Sequence, residues 1–335
     1  MRLLAKIMVV VSLAVIPATC GPAPGPKGPG RKSSAVNPDE CGKFDINGAG
    51  RKLYAFLKAT AELDMQVAAL HRDAKRACLA MAAELNLPAK QRNGDLKFVC
   101  GNVAREIDQG LDQSFEGEYK MTVDYKPAVC TVDVDVAAKA AAECSASASA
   151  DVQVTCEGTC GGTCNGACDG TCSARNASGQ CAGECQGTCR GSCSGDCRGS
   201  ADVQAEASCE ASAEIHANVN ATCTDPVFET KWEEPRVKDP ARLKRIDAAL
   251  AVGIPALGKI GAKVAGPVSH AVVTWAKATG ELVAASGKLV EGLGAASVCV
   301  AAELAAAFEA VGRIQAEVSV TIEVSASVSG SAGVH

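Results

Sequence analysis

Nineteen cysteines are the residues of this chain best placed to do chemistry, and their spacing decides which chemistry. Ten of them fall in two Cys-x-Gly-x tracts of period four, Cys156 to Cys172 and Cys181 to Cys197. Thiolates packed this way could cluster metal ions, as in a metallothionein, or the sulfurs could be joined in pairs. A zinc or similar ion needs about four ligands around one centre. Cysteines four apart on a strand lie roughly 13 Å from each other at about 3.3 Å per residue, so one strand supplies a single sulfur per level. A helix would bring them together, but the glycines recurring in phase at Gly158, Gly162, Gly166 and Gly170 each cost roughly 1 kcal/mol in a helix. Two strands facing each other offer two sulfurs per rung, which is disulfide chemistry.

The pairing can be read from symmetry. Seven cysteine pairs are centred on one point between Asn176 and Ala177: Cys130 with Cys223, Cys144 with Cys209, Cys156 with Cys197, Cys160 with Cys193, Cys164 with Cys189, Cys168 with Cys185, and Cys172 with Cys181. The inner five follow from the two mirrored repeats and amount to one coincidence. The outer two lie outside the repeat and match the same point independently. This is the register of an antiparallel hairpin, with Ser173 to Gln180 as its tip. Two further bridges, Cys78 with Cys100 and Cys41 with Cys299, complete the predicted set.

The elements that must position these sulfurs show a matching alternation. Even positions from Val132 to Val154 are Val, Ala and Cys while odd ones are mostly Asp, Ser, Glu and Lys, and on the return from Ala201 to Cys223 the apolar positions are odd. Residues two apart share a strand face, so both arms are predicted as strands from end to end, with Gly158 opposite Gly195. An arm from Cys130 to Cys172 would then be about 140 Å long at 3.3 Å per residue. Its Ala/Val/Gly face would need a cover, which predicts homo-oligomerisation through that face.

The rest reads as a helical base. Residues 41–118 form an antiparallel helical hairpin about the Asn93-Gly94-Asp95 turn, with apolar residues at three-and-four spacing such as Leu53, Phe56, Leu57, Leu63, Val67 and Leu70. Residues 119–235 hold the long hairpin. Residues 236–312 are Ala-rich helices opening at Asp239-Pro240, punctuated by Lys259, Lys263, Lys277 and Lys288 and so read as bundle core instead of a membrane span. In residues 313–335, Ile314, Ala316, Val318, Val320, Ile322, Val324, Ala326 and Val328 alternate with polar residues, which predicts a third strand beside the returning arm. The fold class is therefore α+β, a helical base carrying a very long disulfide-laddered antiparallel hairpin and a C-terminal strand.

At the N-terminus, Arg2 and Lys6 precede an apolar run, Ile7 to Ile16, that is too short to span a membrane and has the proportions of a secretory signal over residues 1–19. The run ends at Pro17-Ala18-Thr19-Cys20, which resembles the lipobox of bacterial lipoproteins, with Pro17 and Thr19 departing from its usual residues. The resemblance covers about the first twenty residues and implies lipidation of Cys20, anchoring the chain to a membrane. Gly21 after the cysteine would, in that family, point to the outer membrane. Cleavage after Ala18 by an ordinary signal peptidase is the alternative. Residues 20–40, rich in Pro, Gly, Ser and Lys, read as a flexible tether.

Composition narrows function further. The chain is 47% hydrophobic but only 3% aromatic, which disfavours a large aromatic-lined pocket, and its net charge of −5 argues against nucleic acid as a partner. His71, His216, His270 and His335 show no metal-ligand spacing, so no metal, cofactor or catalytic residue is assigned. Gly253, Gly258 and Lys259 mimic a P-loop, but Ile260 replaces the Ser or Thr that would bind Mg²⁺. Asn176 and Asn220 head glycosylation sequons that carry no weight in a bacterial protein. The reading is a non-catalytic exported structural protein of the bacterial outer membrane or cell surface, a spacer, adhesive spike or assembly subunit. Its alternative is an oligomeric β-barrel pore, disfavoured because no Phe, Tyr or Trp occurs between Lys126 and Val227 to form aromatic girdles. A thiol-based metal or redox buffer is third.

Overall fold

The computed structural model describes residues 36–42, 48–116, 120–145, 153–204, 207–233, 236–291 and 296–332. The expected signal peptide, most of the expected tether, Cys20 and His335 lie outside these residues. The part of the tether that is described is not free. Val36 is buried in the core, a 3-10 turn spans Pro38–Cys41, and the Asn37 backbone N–H donates to Glu303 Oε2 at 2.7 Å.

The helical base begins with α1 (Gly48–Glu84) and continues through α2 (Ala89–Arg92) to α3 (Leu96–Ser114). Asp95 caps α3 by accepting from Phe98 N at 2.8 Å, and Cys78–Cys100 bridges α1 to α3. The other side is built by α6 (Pro240–Lys263), α7 (Ser269–Glu291) and α8 (Ser297–Ser331), with a π-helical stretch Val264–Val268 joining α6 to α7 where Pro267 breaks the regular ladder. Asp239 caps α6 and Pro240 opens it, as the sequence leads one to expect. The core between these layers holds Phe56, Leu57, Met81, Ile107, Ile254 and Trp275. Trp275 satisfies its indole N–H on Thr60 Oγ1 at 2.9 Å inside that core. The segment Pro240–Thr279 is long and apolar enough to cross a membrane by length and composition, yet it packs Leu243, Ile246, Leu250, Ile254 and Leu257 into the bundle. Its P-loop-like glycines serve packing: a Cβ on Gly253 would meet Met81 Sδ at 2.0 Å, so glycine lets α6 approach α1.

Beyond the base the chain keeps the mirror symmetry but changes the elements. β1 (Lys120–Lys126) pairs antiparallel with β8 (Val227–Glu233), and β2 (Cys130–Thr131) with β7 (Thr222–Cys223), both about the same point between Asn176 and Ala177. The next mirrored segments are helices, α4 (Val134–Ser145) and α5 (Ala207–Val219), where strands were expected. The Cys/Gly tract follows as β3 (Gln153–Cys160), β4 (Thr163–Cys172), β5 (Cys181–Cys193) and β6 (Cys197–Gln204).

Two expected strands are therefore corrected. In α4, Ala is the best helix former and a poor strand former, and Ala occupies both faces of the apparent alternation, at Ala137 and Ala141 as well as Ala138 and Ala140. Asp133 starts the helix by accepting from the Asp135 and Val136 backbone N–H groups. The buried positions Val134, Ala137, Ala141 and Cys144 then follow helical spacing. Because α5 buries Cys209, Ala213, Ile215, Ala217 and Val219 within the chain, the continuous Ala/Val/Gly sheet face that called for a second copy does not form.

The C-terminal strand is likewise absent, since α8 runs unbroken from Ser297 to Ser331. Every second residue being apolar also places apolar residues four apart, the step of a helix face. Ile314, Val318, Val324 and Val328 lie buried against the bundle while Ala316 and Ala326 are exposed. The separation is testable with two variants that would share a face in a strand. Val324→Asp should destabilise the protein by roughly 2–4 kcal/mol by burying a charge, and Ala326→Asp by no more than about 0.5 kcal/mol, measured by urea unfolding.

Candidate functional site

All eighteen cysteines among the described residues are in disulfides. Cys41–Cys299, Cys78–Cys100, Cys130–Cys223 and Cys144–Cys209 tie the base and its neck, and Cys156–Cys197, Cys160–Cys193, Cys164–Cys189, Cys168–Cys185 and Cys172–Cys181 form five successive rungs. The sulfurs of Cys41 and Cys299 lie close enough to Glu303 to suggest a metal triad. They are bonded to each other and so lack the thiolates that a metal needs.

The rungs are not built as expected for a flat two-stranded ribbon. Bonded cysteines are not opposite each other in the backbone ladder: Cys160 faces Cys197 but is bonded to Cys193, and Cys168 faces Cys189 but is bonded to Cys185. Many residues have a partner on both edges. Cys164 pairs with Gly183 on one side and Cys193 on the other, and Thr155 with Ser192 and Asp202. The partner number falls as the residue number rises in each case, so the two arms wind about each other and the ribbon coils until its edges meet, in the strand order β4-β5-β3-β6. The sulfurs lie inside, with Cys156, Cys164, Cys181, Cys189 and Cys197 essentially inaccessible.

Glycine makes this winding possible. Gly158 lies opposite Gly199, not Gly195, and Gly170 opposite Gly187. At Gly170 φ is +148°, and a Cβ would stand 2.2 Å from the carbonyl oxygen of Gln186. Outward-facing residues are polar and exposed, among them Glu157, Asn165, Asp169, Arg190 and Arg198. At the tip, Asn176 Oδ1 accepts from the backbone N–H groups of Ser178 and Gln180 at 3.1 and 2.9 Å, and Arg175 donates to the Gly179 carbonyl at 2.9 Å. The tip residues are exposed. With both edges engaged inside the chain, the coil has no spare ladder along these stretches to close a barrel with other copies.

A second cluster of polar groups lies where α1, α4 and α5 meet, and sequence reading missed it. A cleft of about 240 Å³ is lined by Arg51, Tyr54, Lys58 and Glu62 of α1, Ala140 and Glu143 of α4, and Ser212 and His216 of α5. Glu62 Oε2 lies 2.6 Å from His216 Nδ1, and Asn220 Nδ2 donates to Glu62 Oε1 at 2.6 Å. The hydrogen bond to Glu62 raises the His216 pKa above 6.5 against the opposing effect of burial. Burial pushes Glu62 up, but the hydrogen bonds from His216 and Asn220 together with nearby positive charge bring it below 4.5. This is not a hydrolytic triad: Ser212 Oγ makes no hydrogen bond to His216, and mid-helix backbone N–H groups are already used and cannot form an oxyanion hole. Of the other histidines, His71 Nδ1 lies 3.4 Å from Thr321 Oγ1 and His270 Nε2 lies 3.8 Å from Glu214.

No protein-family model, curated protein or solved structure matches this chain.

Gly170→Ala should destabilise the oxidised protein by about 1–3 kcal/mol in urea and shift the Cys168–Cys185 pairing in a non-reducing peptide map. Gly101→Ala, in α3 with open space around it, should instead stabilise by about 0.5–1 kcal/mol. The Glu62–His216 pair predicts a pH window. With its folded pKa raised, His216 contributes stability that is complete below about 6.5 and lost as pH rises through the folded value. Glu62, its folded pKa lowered, contributes above about 4.5 and loses that as pH falls. The unfolding free-energy difference between wild type and His216→Gln should be about 0.5–1 kcal/mol near pH 5.5, reduced by the pair's partial exposure, and should shrink toward zero by pH 9.

Proposed function

We propose that this chain is a non-catalytic exported structural protein, anchored through lipid on Cys20, that presents a disulfide-braced β-coil on a helical base. The observation that carries this reading is the five-rung disulfide ladder inside a coil whose strands pair with one another within one chain. Such a body is braced by disulfides and polar outside. It suits holding a tip away from a surface, as a spacer, an adhesive spike or a subunit of an extracellular assembly. Nine disulfides suit an oxidising compartment, the periplasm or cell exterior. The pore alternative has lost its support, because the Ala/Val segments that would have faced lipid are the helices α4, α5 and α8.

Mass spectrometry of the mature protein purified from membranes, with and without reduction, tests the reading. A mature N-terminus at Cys20 carrying acyl mass, with every thiol masked until reduction, is the expected result, and Cys20→Ser should move the protein from the membrane to the aqueous fraction. A mature N-terminus at Thr19 with no acyl mass would overturn the anchor, and free thiols in the tract would overturn the ladder.

A further inference from the structure

The cleft between α1, α4 and α5 has a feature that the structural role does not use. Ser212 is only 5% exposed, lines the cleft, and its hydroxyl makes no hydrogen bond among the described residues. A serine inside a helix ordinarily bonds back to the carbonyl four residues earlier, and leaving a buried hydroxyl without a partner is costly. His216 lies one turn further along α5, on the same face. Its Nδ1 is engaged by Glu62, and its Nε2 makes no hydrogen bond among the described residues. Lys58 lines the same cleft one turn before Glu62, with no hydrogen bond or ion pair to its ammonium among the described residues.

The charge and shape of these walls select a ligand class. Of the two acids present, Glu62 is already held by His216 and Asn220, and Glu143 stands on the α4 side. The donors left with capacity are the Ser212 hydroxyl, Nε2–H of the protonated His216 and the Lys58 ammonium, in a lining that also carries the Glu143 carboxylate. Ala55, Ala59 and Ala140 supply an apolar floor. A cavity of about 150 Å³ can admit benzene, so one of about 240 Å³ has room for a ring bearing a charged group.

We propose that this cleft binds a small organic carboxylate, whose oxygens accept from Ser212 Oγ–H and from Nε2–H of the protonated His216, whose Nδ1–H stays on Glu62, opposite Lys58, with its apolar part against Ala55, Ala59 and Ala140. Benzoate is a suitable probe, with benzamide as an uncharged isostere and inorganic phosphate as an oxyanion lacking the apolar part. Titrated into the full oxidised protein and followed by the His216 imidazole signals in NMR, benzoate should give a saturable shift. Ser212→Ala and Lys58→Met should each weaken it about tenfold without lowering the thermal midpoint, and benzamide should bind at least about tenfold more weakly. Absence of a saturable shift, or unchanged affinity in both variants, would overturn the assignment. Phosphate moving the same signals at equal or lower concentration would overturn the organic ligand in favour of a plain oxyanion.

Discussion

Sulfur–sulfur bonds arranged symmetrically about one turn are the constraint on which the arms of this structure depend. Seven disulfides share the mirror point between Asn176 and Ala177, and the paired strands β1 with β8 and β2 with β7 obey it as well. Once the turn is made, each bridge fixes which residues can meet further down, whatever secondary structure they adopt. Strand, helix and coil follow one another along the two arms, and the disulfide pairing keeps its mirror point throughout. A continuous hydrogen-bonded ladder could not do this, because a helix inserted in one arm would carry its ladder out of phase.

The coil shows why covalent bonding is needed there. Its interior consists of sulfur and glycine backbone, with Cys156, Cys160, Cys164, Cys189, Cys193 and Cys197 making up most of what is buried. A two-stranded ribbon is marginal in water, and a core of this size removes little apolar surface. A disulfide limits the unfolded ensemble instead, typically by about 2–4 kcal/mol. Nested rungs are not additive: with one rung closed, the next closes only a short additional loop, so its entropic gain is small. The later rungs therefore act more on shape than on stability. They hold Gly170 against Gly187 and Gly158 against Gly199 at a separation that no side chain would permit.

What was legible in the sequence was covalent and symmetric, and what was illegible was conformational. Pairing follows from cysteine positions, because matching at Cys130 and Cys144 is independent of the repeat. The helices α1 and α3 follow from Leu and Phe spacing around Asn93-Gly94-Asp95. The type of α4, α5 and α8 could not be read from apolar alternation because Ala, Val and Ser are small enough to be tolerated on either face. In such a sequence a period of two contains the four-residue step of a helix. Two local signals did favour helices: Asp133 as a cap for α4, and the high helix propensity of the Ala run from Ala137 to Ala142. The coiling of the Cys/Gly tract was hidden for a different reason, since the absence of a glycine Cβ permits curvature without specifying its sense.

The same misreading explains why the cleft was not seen. In a strand, Ser212 and His216 would share a face but stand about 13 Å apart, too far to act on one small molecule. In a helix they are one turn apart, about 5–6 Å between Cβ atoms. Winding 207–219 into α5 also turns His216 toward α1, where Glu62 fixes its Nδ1 at 2.6 Å. The bridge Cys144–Cys209 forms part of the cleft's setting, with Cys144 on its wall and Cys209 one turn before Ser212. One covalent bond thus belongs to both systems. It continues the mirror series that orders the arms, and it clamps α4 against α5 so that a hydroxyl, an imidazole and an ammonium line one enclosure.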